Sequence, residues 1–130
     1  SLADAEASRG GDPRPAYAEA LAGFDTVVRA WPDVAEAWHN RAVVRLHLAD
    51  ARARRGEDAD EALSRAVADC DESLRLRPAR ALPRITRGIA RRVQGDREVG
   101  RGADPRATWE RAIADFDAAL AADRGTARRG

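Results

Sequence analysis

Arg55-Gly56-Glu57-Asp58-Ala59, in the middle of the chain, stands 46 residues after Arg9-Gly10-Gly11-Asp12-Pro13 and 46 before Arg101-Gly102-Ala103-Asp104-Pro105. The same offset carries Leu2-Ala3-Asp4-Ala5 onto Leu48-Ala49-Asp50-Ala51 letter for letter. It also aligns Ala20, Ala66 and Ala112, then Phe24, Cys70 and Phe116, then Pro32, Pro78 and Arg124, without a gap. A period of roughly 20–50 residues marks an architecture in which one unit cannot bury its apolar face alone and stacks on the next. Such a stack offers an extended surface and points to binding, not to an active site.

The joints are helix punctuation. Asp12 is placed to cap a helix that has Pro13 at its first position, and Asp104-Pro105 repeats the device, since proline loses nothing where the backbone N–H has no helical partner. Asp33 and Glu36 have the spacing of a capping box after Pro32. The pattern predicts helices at 1–8, 13–31, 33–54, 59–77, 79–97 and 105–123. Strand signals are absent, and the short glycine-rich joints make neighbouring helices antiparallel. The expected fold class is all-α, with antiparallel helix-turn-helix repeats stacked as an α-solenoid.

The second helix of each repeat carries an apolar face at helical spacing: Tyr17, Ala20, Leu21, Phe24, Val27 and Val28 in the first copy. The later copies place Leu63, Ala66, Val67, Cys70, Ser73, Leu74 and Trp109, Ala112, Ile113, Phe116, Ala119, Leu120 at the same steps. A small residue four before a large one lets helices approach while the ring fills the space beside them. Cys70 occupies a phenylalanine position and reads as packing.

The spacing Ala-x3-Phe-x7-Pro, with a preceding helix that opens Ala37-Trp38-x-Asn40-Arg41-Ala42, resembles the tetratricopeptide repeat. The resemblance covers nearly the whole chain. The 46-residue period is about 12 residues longer than that family's usual unit of roughly 34, an extension of about two helical turns plus a turn segment that leaves the packing code intact. The chain therefore resembles an elongated subtype. It reads as one repeat domain over residues 1–130, made of a partial unit 1–32 and units 33–78 and 79–124, and is expected to be a piece of a longer protein.

In this family, the resemblance implies, the first helices of successive units form a concave face that holds a peptide or a partner's helix. Carried over residue by residue, the groove positions are Glu36, His39, Val43, Leu46 and His47 from one unit and Leu82, Ile85, Ile89, Arg92 and Val93 from the next. Leu82, Ile85, Ile89 and Val93 form an apolar stripe, and Arg80, Arg84, Arg87 and Arg91 a basic one on the opposite side. Two readings stay open. Either the apolar stripe lines a groove while the arginines bury their stems between helices and meet Asp69, Asp71 or Asp115, or the helix has rotated so that its apolar stripe is core and its arginines are solvated. Apolar stripes are more often core, which favours rotation.

Composition excludes other classes. The 130 residues are 44% apolar and 35% charged, with 23 basic residues, all arginine, against 22 acids. This near-neutral mixture argues against nucleic-acid binding. Cys70 is the single cysteine, so no internal disulfide forms. No apolar run reaches the roughly 18 residues of a membrane span, and no signal architecture opens the chain, so the expected setting is cytoplasmic. His39 and His47 lie eight apart, not in the i, i+4 relation of a helical metal pair. No phosphate loop is present, and no cofactor, metal or catalytic residue is expected. Asn40 resembles part of a carboxylate clamp known in the family, but His39, Val43, Leu82 and Thr86 stand where the rest should be, and that specificity is rejected. The reading is a non-catalytic scaffold for a protein or peptide partner, in a context resembling bacterial signalling proteins. The alternative is a self-assembly module, a homo-oligomer formed through exposed terminal helices.

Overall fold

The structure is a computed structural model that describes residues 11–129, with side chains through Gly125. The helix expected at 1–8 lies outside the described residues. Five helices follow in order: α1 (Arg14–Ala30), α2 (Ala35–Arg54), α3 (Asp60–Leu76), α4 (Leu82–Gly100) and α5 (Arg106–Arg129), with no strand among the described residues. Each helix packs on its successor, and α2 also touches α4. The arrangement is that of stacked helical hairpins, α2 with α3 and α4 with α5, and α1 holds the repeat position of α3 and α5.

The joints recur in atomic detail. Asp12, Asp58 and Asp104 each accept the backbone N–H two residues on, from Arg14 at 3.0 Å, Asp60 at 2.9 Å and Arg106 at 3.0 Å. These bonds satisfy amides that have no partner within the helix. The C-termini of α2 and α4 close alike. Gly56 and Gly102 adopt φ of +72° and +77°, and the N–H groups of Glu57 and Ala103 return to the carbonyls of Arg52 and Glu98. This is the left-handed glycine cap, in which a side chain would be strained.

Three expected features are corrected. The Asp33–Glu36 capping box does not form: α2 follows Val34, which is extended and makes no side-chain cap, and Glu36 pairs instead with Arg80. The fourth helix runs from Leu82 to Gly100 rather than over 79–97. Pro83 is tolerated only in a first turn, and Gly102 sets the end as Gly56 does one unit earlier. The last helix continues to Arg129 rather than stopping at 123, because Arg124 stands where Pro32 and Pro78 follow the ends of α1 and α3.

The core is built from small residues. Ala42, Ala66 and Cys70 form one buried cluster, and Ala49, Ala59, Ala62, Leu63 and Ala90 another. Repeat-related positions exchange volume. A Cβ on Gly88 would come within 2.7 Å of the Phe116 ring, and one on Gly95 would collide with the Trp109 ring. One unit earlier the same positions hold Ala42 with Cys70 and Ala49 with Leu63. Where α5 carries an aromatic ring, α4 carries no side chain to meet it.

Candidate functional site

The ionic groups decide which way α4 faces. Arg41 donates from Nε and Nη2 to Asp69 on α3 at 3.0 and 2.8 Å, and from Nη1 to Asp25 on α1 at 2.9 Å. Arg45 adds a bond of 2.8 Å to Asp69, whose carboxylate is buried. Forty-six residues on, Arg87 joins Asp115 on α5 to Asp71 on α3, and Arg91 reinforces Asp115 at 2.8 Å. Hydrogen bonding to Asp69 raises the Arg41 pKa above its ordinary value, while burial lowers that of Arg45. Trp38 Nε1 donates to the Pro32 carbonyl at 2.8 Å, and Arg84 Nη2 makes the same bond to Pro78. Arg87 and Arg91 of the basic stripe thus lie between helices. The favoured expectation of a rotated helix with solvated arginines is overturned, because Asp71 and Asp115 anchor α4 in the register of α2.

With the arginines inward, Leu82, Ile85, Ile89 and Arg92 lie along the outer side of α4, with Leu82 55% and Ile85 37% exposed. Val93 does not join them and packs on the core, as does Leu46. On α2, Glu36 and His47 are exposed and Val43 is half-buried. His47 stacks on Tyr17 at 5.9 Å between centroids. His39 is buried, shares a 2.8 Å hydrogen bond with Thr86, and has its pKa lowered by burial and, secondarily, by the Arg80 charge. It is a contact between α2 and α4, not part of an open groove.

Leu82 and Ile85 continue into a groove of roughly 610 Å³ between α4 and α5, completed by Ala81, Phe116, Ala119, Leu120 and Asp123. Sequence reading placed the α5 residues on a packing face, and the unsatisfied apolarity of that last face was the available signal. The equivalent surface one unit earlier is formed by Glu36, His39, Cys70, Ser73 and Leu74. There Glu36 pairs with Arg80, His39 bonds Thr86, and Ser73 donates to the Ala35 carbonyl. The polar side chains at these positions are thus exchanged for Leu82, Ile85 and Ala119 one unit later.

Burial pushes the Cys70 thiol up to about 12, far from the range of a reactive thiolate. No group of three or more His, Cys, Asp or Glu side chains is placed to hold a metal ion among the described residues, and no helix there is long and apolar enough to cross a membrane. The chain matches no protein-family model and no curated protein.

Proposed function

We propose that this chain is a non-catalytic scaffold of the tetratricopeptide kind that captures a protein partner along the outer side of α4 and in the groove beside α5. The observation that carries this reading is the exposed, contiguous apolar surface of Leu82, Ile85 and Leu120. Its repeat-related copy is occupied by α4. Exposed apolar patches of this kind, bordered by charge, mark interaction sites. A cytoplasmic setting in a signalling protein accords with such a role.

Ile85→Asp provides the test, because an exposed position accepts charge without unfolding the stack. The immobilised variant is expected to lose proteins that the parent chain retains from its host's lysate while its helical circular dichroism stays the same. Retention of the same proteins by a folded variant would sink the reading.

Self-assembly is the second reading, favoured by Ile113 and Leu120, 58% and 55% exposed one heptad apart on α5. Sedimentation over a concentration series separates the two: a strict monomer at high concentration removes self-assembly.

A further inference from the structure

A separate pocket lies on the other side of α4. Arg91, Gln94, Glu98 and Arg101 follow one another at three- and four-residue steps, opposite Leu82, Ile85 and Ile89. With Asp60 and Ser64 from α3 and Thr108 and Arg111 from α5, all of them polar, they border a cavity of roughly 350 Å³. The unit before has its counterpart, a pocket of roughly 160 Å³ over α2. That counterpart stays open although α4 is stacked on α2 and α3, so the repeat packing assigns neither space to another helix. The two pockets differ in chemistry. Leu48, Arg52 and Ala62 become Gln94, Glu98 and Thr108, and Glu61, which holds Arg65 at 3.1 Å, becomes Ala107. The later pocket thus gains two neutral hydrogen-bonding groups and an acid, while Arg111 loses the acid that holds its predecessor.

Two charges in this pocket are left over. Asp60 is held by Arg97 and Arg101, and Arg91 gives its Nη1 to Asp115. Glu98 accepts from Thr108 Oγ1 at 2.7 Å but has no ion pair, and the Arg111 guanidinium has neither hydrogen bond nor ion pair, among the described residues. Thr108 and Arg111 are neighbours on one face of α5, so this carboxylate and this guanidinium border one cavity about a helical turn apart without meeting. We propose that the pocket binds a free α-amino acid. Its carboxylate is received by Arg111 and Arg91 and its ammonium by Glu98, while Gln94 and Ser64 offer hydrogen bonds to a polar side chain. Charge-assisted bonds at both ends are the strong class. A plain anion is repelled by Glu98 and a plain cation by the guanidinium groups, so only a ligand carrying both charges matches both. The site is independent of the groove between α4 and α5.

Nuclear magnetic resonance titration of the intact, isotope-labelled chain tests this. The probe is L-glutamine, compared with N-acetyl-L-glutamine, which keeps only the carboxylate, and L-glutamine methyl ester, which keeps only the ammonium. L-Glutamine is expected to give saturable shifts at the amides of Gln94, Thr108 and Arg111, and each blocked probe to bind about tenfold more weakly at physiological salt. Arg111→Gln and Glu98→Gln should each weaken L-glutamine by a similar factor while helical circular dichroism stays the same. Glu98→Gln should leave N-acetyl-L-glutamine no weaker, because it removes the repulsion along with the ammonium's partner; a merely damaged pocket would lose both ligands. Absence of saturable shifts with L-glutamine overturns the proposal. Equal binding of the N-acetyl probe shows a simple anion site and overturns it as well. So does a double-mutant cycle in urea unfolding that couples Glu98 to Arg111, since the two would then close on each other across the pocket.

Discussion

At the scale of single residues, the exchange of volume between repeats explains why a helix carries two interior glycines. Glycine costs about 1 kcal/mol relative to alanine there, yet Gly95 faces the Trp109 ring and Gly88 the Phe116 ring too closely for a Cβ. Gly95→Ala is therefore expected to destabilise the chain by about 1–3 kcal/mol despite its better helix propensity. Adding Trp109→Leu should recover much of the loss by recreating the Ala49 and Leu63 pairing. Urea unfolding reads both, and a more stable single variant would refute the packing. His39 supplies a second prediction. Its folded pKa lies below the ordinary 6.5, chiefly through burial, so the unfolded chain binds the proton more readily. Stability should be complete above pH 6.5 and fall as the pH drops from there towards the folded pKa, by at most about 1.4 kcal/mol per pH unit. His39→Gln retains a partner for Thr86 without titrating, and its unfolding midpoint should change less over the same range.

At the scale of elements, each first helix is fastened by arginines to an acid on its own hairpin partner. Asp69→Ala would leave Arg41 and Arg45 without their shared buried carboxylate and is expected to cost about 3 kcal/mol, as loss of one member of a buried pair does. Asp104→Ala removes an exposed cap and its ion pair with Arg106 and should cost clearly less. Thermal unfolding of the two variants checks the ranking. Much of this was legible in sequence: the aspartates at the joints, the glycines that close α2 and α4, and the acids that receive the basic stripe. The boundaries of α4 and α5 were also encoded, through Pro83, Gly102 and the missing proline at Arg124, but the repeat had to be applied to helix ends as well as to faces. The orientation of α4 was ambiguous because apolar and arginine stripes both have helical spacing, and only the positions of Asp71 and Asp115 distinguish them.

At the scale of the whole molecule, stability is a sum over neighbours, because each helix meets chiefly those beside it. Asp115→Asn, which weakens the α4 to α5 contact, should speed amide hydrogen exchange in those two helices while leaving α1 and the first half of α2 near their original protection. Uniform acceleration along the chain would show a single cooperative block instead. The candidate surface was half legible for a related reason. Leu82, Ile85, Ile89 and Arg92 follow from alignment of the first helices, whereas the contribution of Phe116, Ala119 and Leu120 depends on which neighbour lies against the last hairpin. His39, Leu46 and Val93 moved inward because residues at their spacing also face the adjacent first helix or the core, a distinction that periodicity within one helix does not make.

The arginines that bridge neighbouring hairpins do more than hold them. A guanidinium is planar, and the separations among its three nitrogens are constant. Arg41 touches Asp25 with one edge and Asp69 with another, and Arg87 spans Asp71 and Asp115 in the same way. Each is a gauge block set between alternate helices, so the rise and rotation from one hairpin to the next are metered by the dimensions of one functional group. Lysine at these positions would preserve the charge but discard the gauge, and successive hairpins would no longer share a common pitch.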